Sequence, residues 1–116
     1  MRHAKKKVTL GRERGPREAL LRSLAESLIL HGSIQTTQAK ARAVRGFVEP
    51  LVTKAKKGTL AERRMLISTL YTDAAVNKMM NDIGPRYKER EGGYTRTTKI
   101  GQRYNDAAPM VRIEFV

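Results

Sequence analysis

Histidine is the side chain that most readily moves a proton near neutral pH, and this chain has two, His3 and His31. His3 stands in a basic run, and His31 sits beside Gly32, where a helix should end. Neither belongs to a His-x-x-x-His pair, and neither a Gly-rich phosphate loop nor a Gly-x-Ser-x-Gly elbow occurs. The acidic residues are scattered. Glu18, Glu62 and Asp73 fall where the positive end of a helix dipole favours a carboxylate. There is no cysteine, which excludes disulfides and thiolate zinc sites and suits a reducing compartment. The expectation is no catalytic residue, no metal and no cofactor.

The chemistry that the chain does offer is cationic. Lys and Arg number 24 against 11 Asp and Glu, a formal net charge of +13. So much like charge in a small domain repels itself unless a polyanion neutralises it. Nucleic acid does so, with release of its counterions. Residues 1–15 concentrate the charge: Arg2, Lys5, Lys6, Lys7, Arg12 and Arg14 face Glu13 alone, and Val8 and Leu10 are too few to anchor a core. We expect a basic N-terminal arm that orders against phosphates.

A second concentration lies in residues 85–96. Arg86, Lys88, Arg90 and Arg96 are interleaved there with Tyr87 and Tyr94, around Gly92-Gly93. Guanidinium groups pair with phosphates, and flat rings stack on unpaired bases. Paired glycines allow close backbone approach or positive φ. Both tyrosines fit a core equally well, whereas a turn has no need of the arginines. The stretch from Gln102 to Asp106 either touches RNA or forms an ordinary hairpin end.

These residues need elements to hold them. Gly15-Pro16 suits a helix start, and Leu20, Leu21, Leu24, Ala25, Leu28 and Ile29 recur at helical spacing until His31-Gly32. Arg17 and Arg22 fall toward its other side. Residues 33–36 read as a brief strand. Thr37 then caps a helix with Ala41, Val44, Val48, Leu51 and Ala55 inward and Lys40, Arg42 and Arg45 at its front, in which Pro50 predicts a kink or break. Thr59 with Glu62 matches a capping box before Met65, Leu66 and Leu70. Thr72 or Asp73 caps a last helix, with Val76, Met79, Met80 and Ile83 inward and Gly84-Pro85 as its stop; the two methionines read as core filler. Residues 94–100 are Thr- and Tyr-rich and suit a strand. Val111, Ile113 and Phe115 alternate with Arg112 and Glu114, so 101–109 should join an antiparallel pair.

The resulting expectation is α+β: several helices on one face of a small sheet of about three strands. Residues 16–116 would form a single globular domain, preceded by the arm at 1–15. The apolar fraction of 40% supports one modest core. No apolar run approaches the roughly 18–20 residues that span a bilayer, and the basic N-terminus does not read as a signal peptide, so we expect a cytoplasmic protein with no membrane and no small-molecule substrate. No tight helix-turn-helix or zinc finger is evident, and scattered basic patches with a tail suit irregular RNA better than a DNA groove.

The particular residues add a resemblance. Met1-Arg2-His3, Ile34-Gln35-Thr36-Thr37 with Lys40-Ala41, and Phe47-Val48-Glu49-Pro50-Leu51 with Ala55-Lys56 resemble the bacterial large-subunit ribosomal protein family numbered seventeen. So do Gly84-Pro85-Arg86-Tyr87, Gly92-Gly93-Tyr94-Thr95-Arg96 and Ala108-Pro109-Met110. The match runs in order over essentially the whole chain. It departs at Lys7-Val8, where members usually carry Gly-Arg; at Arg14-Gly15-Pro16, where Ser-Ser-His is common; and at Arg22-Ser23, usually Arg-Asn. The resemblance implies a structural, non-catalytic role on large-subunit ribosomal RNA, near the nascent-chain exit, beside the ribosomal protein numbered thirty-two. The RNA-binding residues it suggests are Arg2, His3, Lys5, Lys6, Lys7, Arg12, Arg14, Lys40, Arg86, Arg90, Gly92, Gly93, Tyr94 and Arg96. The alternative on charge alone is a free basic RNA- or DNA-binding regulator; an RNA-processing enzyme is disfavoured by the missing acid–base pair.

Overall fold

The computed structural model describes Leu10 and residues 13–116; the readings placed on Arg2, His3, Lys5, Lys6, Lys7 and Arg12 lie outside them. The order of elements is α1 (Arg14–His31), β1 (Ser33–Thr37), α2 (Gln38–Lys57), α3 (Leu60–Thr69), α4 (Asp73–Lys78), a π-helical turn (Met79–Ile83), a short α5 (Gly84–Arg86), β2 (Thr95–Gln102) and β3 (Pro109–Phe115). The three strands form one antiparallel sheet in the order β1-β3-β2. α2 is the central helix, packing on every strand as well as on α1, α3, the π-turn and α5. The α+β expectation holds.

Local chemistry sets most of the boundaries. Gly32 and Gly58 close α1 and α2 in the left-handed region, at φ 81° and 68°, where a glycine has no Cβ to clash. Thr37, Thr59 and Thr72 are the N-caps of α2, α3 and α4, each accepting a backbone N–H three residues on. In the Thr59–Glu62 box the carboxylate takes the Thr59 hydroxyl. α1 begins at Arg14, two residues before Pro16. First-turn amides need no intrahelical acceptor, so a proline is accepted anywhere in that turn.

The core is drawn from all layers. Leu28 and Ile29, then Val44, Val48 and Val52, then Leu66, Val76, Met79 and Ile83 meet Val111 and Ile113 of β3. Met80 is half-buried against the same cluster. β3 alternates as expected, with Arg112 exposed between Val111 and Ile113. The inward row is completed by Ile34 opposite Ile113 and Thr36 opposite Val111. The buried carboxylate of Glu26 accepts the Thr72 N–H at 2.6 Å and its hydroxyl at 3.3 Å, tying α1 to the start of α4.

Neither proline ends its helix, which corrects the expected break at Pro50 and the expected stop at Gly84-Pro85. α2 runs unbroken through Pro50. Pro50 and Gly46 are both exposed, so the carbonyl that loses its donor faces water, while Val48, Leu51 and Val52 hold the helix to the core. Gly84-Pro85 likewise does not stop the last helix, which continues through the π-turn to Arg86. Gly84 is buried against α2: a Cβ there would meet the Ala55 carbonyl oxygen at 2.7 Å. Its use is close helix approach, not termination.

Candidate nucleic-acid interface

Along α2, Gln38, Arg42, Arg45, Glu49, Thr53 and Lys56 recur at i, i+4, i+7, i+11, i+15 and i+18, one continuous polar stripe. Its C-terminal half organises the glycine segment. Glu49 accepts the Tyr94 N–H at 3.1 Å and the Thr95 hydroxyl at 3.1 Å. Thr53 Oγ1 lies 3.3 Å from the Tyr94 hydroxyl. Lys56 Nζ donates to that hydroxyl at 3.1 Å and also to the Arg90 carbonyl. Between these clamps Gly92 and Gly93 take φ of 80° and 60°, consecutive left-handed residues that side chains resist. Burial pushes the Tyr94 phenol up, but Thr53, the Gly92 backbone and Lys56 together bring it below its ordinary value.

Truncating Glu49→Ala leaves the Tyr94 amide and the Thr95 hydroxyl without their charged acceptor. The expected cost is about 1–2 kcal/mol, read as a lower midpoint in urea with an unchanged slope.

The N-terminal half of the stripe is cationic. Arg42 and Arg45 line a cleft of about 180 Å³ against Thr97 and Lys99 of β2. On its other side Arg42 also lines an open groove of about 560 Å³ between α1 and α2, with Arg14, Arg17 and Arg22 on α1 and Leu21, Gly46 and Phe47 also in its lining. Six cations thus occupy one band, and its one carboxylate, Glu18, is already paired with Arg14 at 3.1 Å. Arg22 lies over the Tyr71 ring at 5.7 Å. Among the described residues Arg17, Arg42, Arg45 and Lys99 have no ion-pair partner.

The residues singled out from the sequence are distributed differently. Arg14 falls in the band. Lys40 is half-buried at the start of α2. Arg86 holds Asp82 through both oxygens, at 3.1 and 3.0 Å; Tyr87 and this pairing raise its guanidinium pKa. Arg96 pairs with Glu114, directly opposite on β3, at 2.9 Å. Arg90 is exposed and without an ion pair among the described residues. Tyr87 and Tyr94 are 3% and 1% exposed, with ring centroids 5.3 Å apart, so both rings belong to the core. Sequence reasoning missed the groove. Its arginines come from two helices, and the one available sign was the i, i+3, i+7 spacing of Arg14, Arg17 and Leu21.

The 103–106 stretch is a hairpin end locked by its own charges. Asp106 accepts from Arg103 at 3.0 and 2.6 Å and from the Ala108 N–H at 3.2 Å. Arg103, then the Ala108 amide, lower its pKa from 3.8 to about 2. A carboxyl depressed on folding stabilises above its unfolded pKa, and that contribution is lost as pH falls through about 2. Carboxyl-carbon NMR should place the Asp106 midpoint near 2, and Arg103→Gln should move it back toward the ordinary value. Tyr104 is fully exposed at the tip.

The described residues thus form an α+β domain that gathers a cation-rich groove and cleft along α2. Residues 20–116 match the family described as Ribosomal protein L17. The chain is 49% identical over 117 residues to the Large ribosomal subunit protein bL17 of Neorickettsia sennetsu, covering the whole of both. It is 47% identical over 116 residues to the protein of the same name from Rickettsia canadensis, covering all of this chain and 85% of that one. The chain belongs to the ribosomal protein L17 family, whose members are structural and non-enzymatic.

Proposed function

We propose that the chain is a structural constituent of the large ribosomal subunit in the cytoplasm and holds ribosomal RNA along its basic band. The observation that carries this is Arg42, shared by groove and cleft, which joins six cations into one surface whose single carboxylate is occupied. A phosphodiester backbone supplies the negative charge that such a surface neutralises. Ahead of α1, Arg2, His3, Lys5, Lys6, Lys7 and Arg12 extend the interface. Arg90, and Arg86 and Arg96 by exchange of their carboxylate partners, meet RNA beside Gly92-Gly93. By resemblance to the family, the site lies near the nascent-chain exit, next to the ribosomal protein numbered thirty-two.

The test is binding of the full chain to large-subunit ribosomal RNA and to duplex DNA across a salt series. Saturable RNA binding that DNA does not compete away supports the reading. Equal binding to both, or failure to co-sediment with large subunits, sinks it in favour of a free basic regulator. Deleting residues 1–12 should flatten the salt dependence by roughly 0.7–0.9 for each phosphate the arm neutralises and leave the thermal midpoint of the domain in place. A collapsed thermal transition would contradict the separate arm.

A further inference from the structure

We propose that the groove between α1 and α2 is a pocket for one unpaired RNA base turned out of its helix. This rests on the RNA reading above and goes beyond it in naming the ligand. Its volume of about 560 Å³ lies within the ~300–1,000 Å³ range of clefts that enclose small flat ligands. A groove that merely follows a phosphate backbone needs no apolar lining, yet this one has Leu21, Ala43 and the half-buried Phe47 beside its arginines. Apolar and guanidinium side chains in one lining match a nucleotide: the base stacks on the Phe47 ring, and its phosphates meet Arg17 and Arg42, which lack carboxylate partners among the described residues.

Gly46 supplies an independent feature. A Cβ there would meet nothing within 4 Å, so the groove reaches down to the α2 backbone. The Gly46 carbonyl also lacks its usual helical donor, because Pro50 has no N–H, and it is open to accept from a base amino group. The chain's own arm is a poor occupant, since its lysines and arginines would enter among four arginines.

The test uses the full chain and two RNA hairpins of equal length, one fully paired and one with a single bulged adenine replaced by fluorescent 2-aminopurine. The bulged hairpin should bind about tenfold more tightly, the scale of one base–aromatic stack, with a change in 2-aminopurine emission. Gly46→Leu fills the groove at a helical position with space for it and should stay folded by circular dichroism. It should erase the preference for the bulge. Equal affinity of the unsubstituted chain for the two hairpins, or a bulge preference that survives Gly46→Leu, overturns the pocket and leaves the general RNA reading standing. No binding to either hairpin overturns both. In assembled subunits, a photo-crosslinker at Thr69 on the groove wall should couple to RNA; coupling to a protein segment overturns the assignment.

Discussion

Gly84→Ala lowers the stability of this protein by about 2 kcal/mol, on the order of 10 °C in thermal midpoint. An alanine in a helix ordinarily gains up to about 1 kcal/mol over glycine, so the expected sign is the reverse of the local rule. The added methyl would lie 2.7 Å from the Ala55 carbonyl oxygen and 3.0 Å from both the Ala55 carbonyl carbon and the Met79 carbonyl oxygen. All three are backbone atoms, and no rotamer change moves them aside. Relief of the two Ala55 contacts requires α2 to part from the helix carrying Met79 and Ile83, both of which are buried, and the Met79 contact, within that same helix, would remain. Thermal unfolding followed by circular dichroism measures it; a midpoint equal to or above that of the unsubstituted protein would show that the two helices have room between them for a methyl group.

The second large effect concerns RNA. Replacing Arg42, Arg45 and Lys99 together by glutamine removes the cations that line the α2–β2 cleft. If each holds one phosphate, the salt dependence falls by roughly 2–3, and affinity near 0.15 M salt drops on the order of 100-fold. Stability should hardly change, because all three are exposed and like charges are being separated. Arg63→Gln is the matched control. Arg63 donates to Asn77 at 2.6 Å on the α3–α4 side, away from both basic concavities, and its loss should leave the salt slope alone. Filter binding across a salt series distinguishes the two; a slope that falls with Arg63→Gln by about a third as much as with the triple substitution would mean that net charge, not the band, governs binding.

How much of this is legible in the sequence differs by element. Threonine caps at 37, 59 and 72, the left-handed glycines at 32 and 58, and the alternation of Val111, Ile113 and Phe115 are local signals, and the structure uses them locally. Gly84-Pro85 carries an equally strong local signal for a stop. It is overridden because the need at Gly84 is set by Ala55, on another helix. Pro50 fails as a breaker for a related reason: its missing hydrogen bond falls on the wet side of α2. Tyr87 and Tyr94 are undecidable from composition, since a stacking ring and a core ring have the same neighbours in sequence. The α1–α2 groove is out of reach because the pairing of Arg17 with Arg42 depends on how two helices cross.

The π-helical turn at Met79–Ile83 has a consequence for phase. Ala75, Met79, Ile83 and Tyr87 are all buried and succeed one another every four residues. An α-helix advances about 100° per residue, so three such steps in a regular helix would drift by about 120° around the axis. Tyr87 would then have rotated away from the side that buries Ala75. The wider turn carries one more residue before the backbone closes on itself and returns the row toward alignment. It therefore acts as a phase correction between two ends of a single helix: one end is matched to α1, and the other is matched to α2 and to the C-terminal residue, where the Tyr87 hydroxyl reaches the Val116 carbonyl.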